Sequence, residues 1–208
     1  MSERAEATTT GGWTRAQVLR GTLGGGAVVA AAAAGGLISA GSGMNASAVG
    51  PSNATDEEIL NLFLLLEYVQ EGFYGEALRT RRLRGELRGF AQTVAGQERG
   101  HVAFLARLLG ARARGRPRSR FDEAVSTQDR FRSAAIDLEE ATIATYIGQA
   151  PHLTKQTIGA VAPMVSVEAR QAAWLRDIAG QDPAPRAADP ARAPDDVVAE
   201  LRRRGFLS

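Results

Sequence analysis

The sequence contains no cysteine, only two histidines and a single lysine, Lys155. The absence of cysteine excludes disulfide bonds, thiolate nucleophiles and zinc sites built on cysteine ligands. Because His101 and His152 are the only histidines, a metal site made of histidine ligands alone is excluded as well. Any metal site in this chain must therefore include ligands of another type.

A large excess of charge of one sign is also missing. The chain has 25 Lys and Arg residues against 23 Asp and Glu residues, a net charge of +2 at pH 7, which is not typical of a polybasic nucleic-acid-binding protein. Apolar residues make up 44% and charged residues 23%, which indicates a globular protein. The 208 residues suffice for one domain with appendages. Aromatic residues are scarce and alanine is abundant, which favours helices.

Charged residues are absent from a long segment near the start of the chain, residues 21–55. Arginines precede this segment, an apolar run occupies residues 26–38, and small residues follow at Ala46-Ser47-Ala48. This order predicts an export signal over residues 1–48. The apolar run is shorter than the roughly 20 residues that cross a bilayer, so a stable membrane span is expected only if this segment stays uncleaved.

The export route is indicated by residues 14–20, which resemble a twin-arginine signal that lacks one of its two arginines. The resemblance implies a protein that is exported to the periplasm, the cell envelope or the medium. Two alternatives stay open. The segment could be a disordered Ala/Gly-rich tail on a cytoplasmic protein, or it could act as an uncleaved membrane anchor.

Beyond this segment, apolar residues recur at spacings of three and four, which predicts helices. The four predicted helices begin at Thr55 and then span about 86–111, 127–151 and 154–178. Thr55 and Glu58 have the spacing of a capping box at the start of the first helix. No segment alternates with a period of two, so strands are not expected.

The connections between the helices predict the topology. The first and second helices are joined by a few residues, as are the third and fourth, which favours two antiparallel hairpins. Residues 110–126 separate the hairpins, and at roughly 3.3 Å per extended residue they could run the length of a helix. One long crossover between two hairpins is the ferritin-like form of the four-helix bundle, an all-α fold predicted here over residues 54–180.

The segments outside these helices suggest little about function. Arginines at alternate positions from 112 to 120 could form a nucleic-acid-binding patch. No aromatic residue lies between them, so a solvated crossover is preferred and no nucleic-acid partner is expected. Residues 181–208 are predicted to form a Pro/Ala-rich linker and a short helix over 195–206, which should dock on the bundle or on a second subunit.

Each predicted helix places one glutamate on the apolar stripe that should face the core. The two glutamates of each hairpin have almost the same separation along the chain, and the four are Glu67, Glu98, Glu139 and Glu168. A buried carboxylate is costly unless it is paired or binds a metal. Four of them in matched hairpins therefore predict a shared cation or a shared proton network.

In each hairpin the second glutamate is followed three residues later by another side chain with ligand atoms. His101 follows Glu98 in this way, and Gln171 follows Glu168. Residues three apart lie on one helical face, so both members of a pair could reach the same ion. Two metals bridged by central carboxylates form the arrangement that such a bundle core supports.

Some assignments on the stripes stay open. A small error in helical phase would exchange Glu67 for Glu71 and Glu139 for Glu140. Two tyrosines are expected in the core with hydroxyl groups bonded to nearby carboxylates, namely Tyr74 and Tyr146.

Four segments carry a family resemblance: Leu66-Glu67-Tyr68 with Phe73-Tyr74, Glu98-Arg99-Gly100-His101, Leu138-Glu139 with Tyr146-Ile147-Gly148, and Ser166-Val167-Glu168-Ala169-Arg170. They resemble the exported bacterial ferritin-like domain proteins, which are related to the desiccation-associated ferritin-like proteins of plants. The resemblance covers about residues 54–180 and implies a di-iron or a mixed manganese and iron site. The metal ligands that it implies are Glu67, Glu98, His101, Glu139 and Glu168.

Gln171 occupies the sixth ligand position, where the family pattern has a histidine. An amide oxygen is a weaker ligand for iron than an imidazole, so an asymmetric di-metal site is expected, with its stronger position around Glu98 and His101. The resemblance implies oxidation of ferrous iron by oxygen or peroxide, in the envelope or in stress protection. The alternative is a metal-free or metal-poor bundle with a non-enzymatic structural or binding role. Metal ions are the expected partners, and a homodimer stays an open option.

Overall fold

The computed structural model describes residues 52–208, and the predicted export segment, residues 1–48, lies outside the described residues. Five α-helices follow one another: α1 (Asn53–Arg79), α2 (Gly85–Leu109), α3 (Gln128–Gln149), α4 (Lys155–Ile178) and α5 (Pro194–Arg203). Short 3-10 helices, Gly110–Arg112 and Ala150–His152, extend α2 and α3. Residues 52–208 contain no strand, as predicted. None of the helices in this range combines the length and the apolar character that crossing a membrane requires.

Side-chain caps fix where the helices begin. Thr127 and Thr154 precede α3 and α4 as predicted, and each side chain accepts a hydrogen bond from the backbone N–H three residues later. The predicted capping box of Thr55 and Glu58 is wrong. Ser52 is the cap instead, because its hydroxyl oxygen accepts a hydrogen bond from the Thr55 N–H at 3.1 Å. The first helix therefore starts before Thr55.

Two apolar clusters define the directions of the helices. Cluster A contains Ile59, Leu60, Phe63, Leu64, Leu105, Leu109, Tyr146, Leu153, Val161 and Met164. Cluster B includes Phe73, Leu87, Phe90, Phe131, Leu138, Leu175, Val197 and Phe206. The order of these residues along the chain shows that α1 and α4 run from cluster A to cluster B, whereas α2 and α3 run the opposite way.

These directions set the connectivity. Helix α1 packs against α2, and α3 packs against α4, so each pair is an antiparallel hairpin. The hairpins meet through contacts of α1 with α3 and of α2 with α4. Because α2 ends at cluster A and α3 begins at cluster B, the intervening residues run the length of the bundle. The predicted all-α four-helix bundle with one long crossover and a short C-terminal helix is confirmed.

The crossover is held along α1 by polar contacts. The Asn61 side chain donates a hydrogen bond to the carbonyl of Arg112 at 3.1 Å and accepts one from the N–H of Arg114 at 2.8 Å. Three crossover arginines form ion pairs with α1 glutamates, namely Arg112 with Glu57, Arg114 with Glu58 and Arg116 with Glu71. The arginine-rich stretch therefore compensates the acidic outer face of α1.

The C-terminal segment docks on the bundle of its own chain. Val197 and Leu201 of α5 are buried in cluster B. Upstream of α5, the Arg192 N–H donates a hydrogen bond to the carbonyl of Ala144 at 3.0 Å. This close approach depends on Gly148, because a Cβ atom there would lie 2.6 Å from the carbonyl oxygen of Arg192.

Asp56 joins the two hairpins at the cluster A end. Its carboxylate accepts hydrogen bonds from the N–H of Thr154 at 2.8 Å and from the hydroxyl groups of Thr154 and Thr157 at 2.5 Å each. Burial alone would raise the pKa of Asp56, but these hydrogen bonds outweigh it and lower the pKa below its ordinary value. A residue of α1 thus stabilises the start of α4.

Candidate metal centre

The four predicted glutamates meet in one layer between cluster A and cluster B. Each helix places its glutamate where its apolar stripe passes from one cluster to the other. All four are fully buried, with an exposed fraction of 0%: Glu67, Glu98, Glu139 and Glu168. Their side chains, together with those of His101 and Gln171, contact one another across the two hairpins. The structure therefore brings the six predicted residues together in one layer.

The alternative glutamates lie outside this layer. Glu71 forms an ion pair with Arg116 of the crossover. Glu140 accepts a hydrogen bond from the guanidinium of Arg176 at 2.6 Å. Both carboxylates are therefore neutralised by arginine and are not part of the central layer.

Four ligand atoms converge on one side of the layer, which we call the first position. They are Oε2 of Glu67, Oε2 of Glu98, Oε1 of Glu168 and Nδ1 of His101. Nδ1 of His101 lies 3.3 Å from each of the first two oxygens and 3.0 Å from the third. These four residues offer one ligand atom each to a group whose members all lie within 4.8 Å of one another. A ring nitrogen carries at most one proton and cannot donate to three oxygens at once, so this group suits a cation.

Three of the remaining carboxylate oxygens form the other side of the layer, which we call the second position. They are Oε1 of Glu98, Oε2 of Glu139 and Oε2 of Glu168. Nε2 of Gln70 donates hydrogen bonds to Glu139 at 3.0 Å and to Glu168 at 3.2 Å. Nε2 of Gln171 donates to Glu98 at 2.8 Å. Within residues 52–208, Glu139 is not a member of the four-ligand group at the first position.

Two tyrosines hold Glu67 and Glu139 in place, and we call these two the outer glutamates. Tyr146 of α3 donates a hydrogen bond to Oε1 of Glu67 at 2.7 Å. Tyr74 of α1 donates a hydrogen bond to Oε1 of Glu139. Both tyrosines are buried, as predicted. Each reaches the glutamate of the other hairpin, so the pair ties the two hairpins together at the centre.

Burial and charge crowding shift the pKa values in this layer. Burial, then the neighbouring Glu168, raises the pKa of Glu67. Burial, then Glu67, raises the pKa of Glu98 to about 8. Burial alone would lower the pKa of His101, but the close carboxylates of Glu168, Glu67 and Glu98 outweigh it and raise the pKa to about 12. Without a metal, protons therefore compensate the carboxylates, and a bound metal would release them.

The residues present fit a metal ion at the first position. Within residues 52–208, two buried side-chain oxygens lack a hydrogen-bond partner, Oε1 of Glu168 and Oε1 of Gln171. The first of these belongs to the first position, where a cation would satisfy it. Three carboxylates and one imidazole form a donor set suited to iron and manganese. The structure itself does not identify the ion.

Sequence reasoning missed two residues of the layer. Gln70 is fully buried, and its Oε1 accepts a hydrogen bond from the hydroxyl group of Thr142 at 2.9 Å. A usable signal was present in the sequence. Gln70 and Thr142 stand three residues after a glutamate, as His101 and Gln171 do.

Comparison with known protein families agrees with this geometry. A family model described as the ferritin-like domain matches residues 55–181, which is more than half of the chain. The matched range includes nearly all of α1, the whole of α2, α3 and α4, and all six predicted ligand residues. No curated protein matches the chain significantly.

Proposed function

The chain belongs to the ferritin-like domain family, and on this premise we propose that it binds iron or manganese at an asymmetric centre and oxidises ferrous iron with oxygen or peroxide. The first position is the stronger of the two, because it contains the histidine of the layer. The observation that carries the proposal is the convergence of His101 Nδ1 with three buried carboxylate oxygens, one of which has no hydrogen-bond partner.

The residues of the first position have distinct roles in this proposal. Glu67, Glu98 and Glu168 would bind the ion through one oxygen each, and His101 would bind through Nδ1. Iron held by these residues would supply one-electron redox chemistry, in which ferrous iron becomes ferric as oxygen or peroxide is reduced. Tyr146 orients Glu67 through its hydroxyl group, since outer hydrogen bonds fix the geometry of ligating carboxylates. Clusters A and B exclude bulk water from both ends of the layer.

Charge balance supports a divalent cation in this layer. The four buried glutamates carry up to four negative charges, and no lysine or arginine contacts them among residues 52–208. The cost of burying unpaired carboxylates is high. In the metal-free protein, raised pKa values reduce this cost. A metal ion would offset it with the carboxylates ionised.

The metal-binding proposal is tested by elemental analysis of the purified full chain after anaerobic loading with ferrous iron or manganese. We expect bound metal in the wild type and its loss in the Glu98→Ala/His101→Ala double variant. His152→Ala is the matched control, because His152 is exposed in a 3-10 helix and lies outside the layer. It should retain the metal content of the wild type.

The outcome decides between the two candidate functions. Metal that is lost in the double variant justifies an assay of ferrous iron oxidation with oxygen and with peroxide. Absence of metal from the wild type would contradict the catalytic proposal and favour a metal-poor bundle with a structural or binding role. Metal in the wild type without oxidation of ferrous iron would leave a binding function only.

We also propose that the protein is exported and acts in the cell envelope or outside the cell, for example in stress protection. The support is the sequence order in residues 1–48, with arginines, an apolar run and a small-residue site. Cell fractionation followed by N-terminal sequencing of the mature protein tests this. A protein that remains in the cytoplasm with its first residues intact would contradict export.

A further inference from the structure

We propose that each chain binds a single metal ion, at the first position, and that the amide groups of Gln70 and Gln171 replace the second ion. The inference rests on the proposed metal binding and concerns the number of ions. It goes beyond the weaker metal binding expected from Gln171 alone, because Gln70 donates hydrogen bonds to two carboxylates of the second position.

The two hairpins have the same arrangement of glutamates and tyrosines. The first and second positions, which we call the first and second halves of the layer, can therefore be compared. Helix α1 carries Glu67 with Tyr74 seven residues later, and α3 carries Glu139 with Tyr146 seven residues later. Each tyrosine donates its hydroxyl hydrogen to Oε1 of the glutamate in the other hairpin. The two outer glutamates therefore each have one oxygen left, Oε2, for the centre of the layer.

The remaining oxygens have different partners in the two halves. Oε2 of Glu67 faces Nδ1 of His101 at 3.3 Å, in the first position. Oε2 of Glu139 accepts a hydrogen bond from Nε2 of Gln70 at 3.0 Å. In the first half, the Glu67 carboxylate thus faces a nitrogen that can be a metal ligand. In the second half, the Glu139 carboxylate already accepts a hydrogen bond from an amide.

Glu98 and Glu168, which we call the central glutamates, each have one carboxylate oxygen in the first position and one in the second. Glu98 directs Oε2 toward His101 at 3.3 Å, and its Oε1 accepts from the amide of Gln171 at 2.8 Å. Glu168 directs Oε1 toward His101 at 3.0 Å, and its Oε2 accepts from the amide of Gln70 at 3.2 Å. All three carboxylate oxygens of the second position therefore carry a hydrogen bond from a glutamine amide.

The orientation of the Gln70 amide is fixed from both ends. The hydroxyl group of Thr142 donates to Oε1 of Gln70 at 2.9 Å, so the NH₂ group of Gln70 points to the two carboxylates. The NH₂ group uses its two hydrogens on Glu139 and Glu168, two of the carboxylates that would hold a second ion.

Gln171 does not make up for the carboxylate oxygens to which Gln70 donates hydrogen bonds. Its Oε1 is buried and has no hydrogen-bond partner, so it is an available ligand atom. A single neutral amide oxygen is a weak ligand for iron, and every carboxylate oxygen beside it is already hydrogen-bonded. The carboxylate oxygens of the second position therefore face amide hydrogens of Gln70 and Gln171, whereas those of the first position face an imidazole nitrogen that can itself be a ligand.

The test exchanges the differing residues between the halves. The full chain is loaded anaerobically with manganese(II), bound manganese per chain is counted by elemental analysis, and electron paramagnetic resonance distinguishes an isolated ion from an exchange-coupled pair. The opening variant is Gln70→Thr/Gln171→His, which gives the second half the residues of the first. The matched closing variant is Thr142→Gln/His101→Gln, which gives the first half the residues of the second.

We expect one isolated ion in the wild type, a coupled pair in the opening variant and no bound ion in the closing variant. Two ions in the wild type would overturn the inference and leave the proposed metal binding intact. No ion in the wild type would overturn both. A correctly folded opening variant with one ion would overturn the role of the glutamines. Circular dichroism verifies folding, and the wild-type spectrum alone tests the number of ions if a variant does not fold.

Discussion

The two halves of the central layer share one plan and differ in two residues. Each half has an outer glutamate, a central glutamate and a tyrosine from the opposite hairpin. The first half adds His101, whereas the second adds Gln171 and Gln70. Thr142 occupies the position on α3 that corresponds to Gln70 on α1. Gln70 and Gln171 therefore distinguish the second half from the first, because each donates to glutamate oxygens on the other hairpin.

The largest expected effect comes from removing the histidine that distinguishes the first half. His101→Gln gives the first half the amide that the second half has at Gln171. We expect the metal dissociation constant to rise by more than about 100-fold, the upper end of the loss for outer-sphere changes, because a direct ligand is lost. Competition titration against a chelating dye measures this.

His152→Gln is the control for that substitution, since it removes the other histidine of the chain at an exposed position. Its dissociation constant should equal that of the wild type. If His101→Gln also bound metal as tightly as the wild type, the three carboxylates would suffice and the comparison of the halves would lose its basis.

The two tyrosines sharpen the comparison, because they have the same role in opposite halves. Tyr146→Phe removes the hydrogen bond to Glu67 and should weaken metal binding about 10- to 100-fold, as loss of an outer hydrogen bond does. Tyr74→Phe removes the hydrogen bond to Glu139 and should leave metal binding little changed. The same chelator titration measures both.

Thermal unfolding provides the control for the tyrosine pair. Both variants leave a buried carboxylate oxygen without its donor, so each metal-free protein should lose about 1–3 kcal/mol of stability. Equal losses of metal affinity in the two variants would show that Glu139 contributes as much to the bound metal as Glu67.

Two glycine substitutions compare how tightly other parts of the chain pack against α3, which the C-terminal segment covers, and against α1. Gly148→Ala would place its Cβ atom 2.6 Å from the Arg192 carbonyl oxygen and should cost about 1–3 kcal/mol, as overpacking does. Gly75→Ala on α1 meets no atom within 4 Å and should stabilise the helix by about 0.5–1 kcal/mol. Denaturant titration measures both, and a neutral Gly148→Ala would show that the segment does not pack tightly there.

The last prediction concerns the pH dependence of stability in the metal-free protein. The pKa of Glu98 is raised to about 8, so the folded state retains a proton that the unfolded state loses above its ordinary pKa of 4.5. Stability should therefore fall as pH rises through this range. We expect the melting temperature to drop by at least about 2–4 °C between pH 5 and pH 8, the shift for 1 kcal/mol in a chain of this size.

Metal binding should oppose this alkaline loss, because binding needs the carboxylates ionised. Melting curves with manganese and with a chelator, recorded over the same pH series, make the comparison. A metal-free protein whose melting temperature rises from pH 5 to pH 8 would show that the glutamates are ionised in the folded state.

Much of the fold could be predicted from the sequence, because the signals are local. The apolar stripes set the four helices, and Thr127 and Thr154 mark two of their starts. The start of α1 was misplaced because Ser52 and Thr55 are both good capping residues, and a local pattern does not rank them. The family match and the bundle agree with the resemblance, whereas the metal, its oxidation chemistry and export stay proposals.

The layer of glutamates could also be predicted, since one buried carboxylate per helix is visible as an interruption of each apolar stripe. The role of Gln70 could not. Its partners Glu139 and Glu168 lie on the other hairpin, far along the chain. The position of Gln70 three residues after Glu67 places it on the same helical face but does not indicate which carboxylates it contacts.

The sequence by itself determined the bundle, its connectivity and the six candidate ligand residues of the central layer. These follow from periodicity, connection length and the cost of burying carboxylates, which act within a helix or between neighbours in the chain. Only the tertiary structure decided which oxygen of each glutamate faces His101 and which accepts an amide hydrogen. That choice depends on side chains from separate hairpins meeting within about 3 Å, the distance at which hydrogen bonds form.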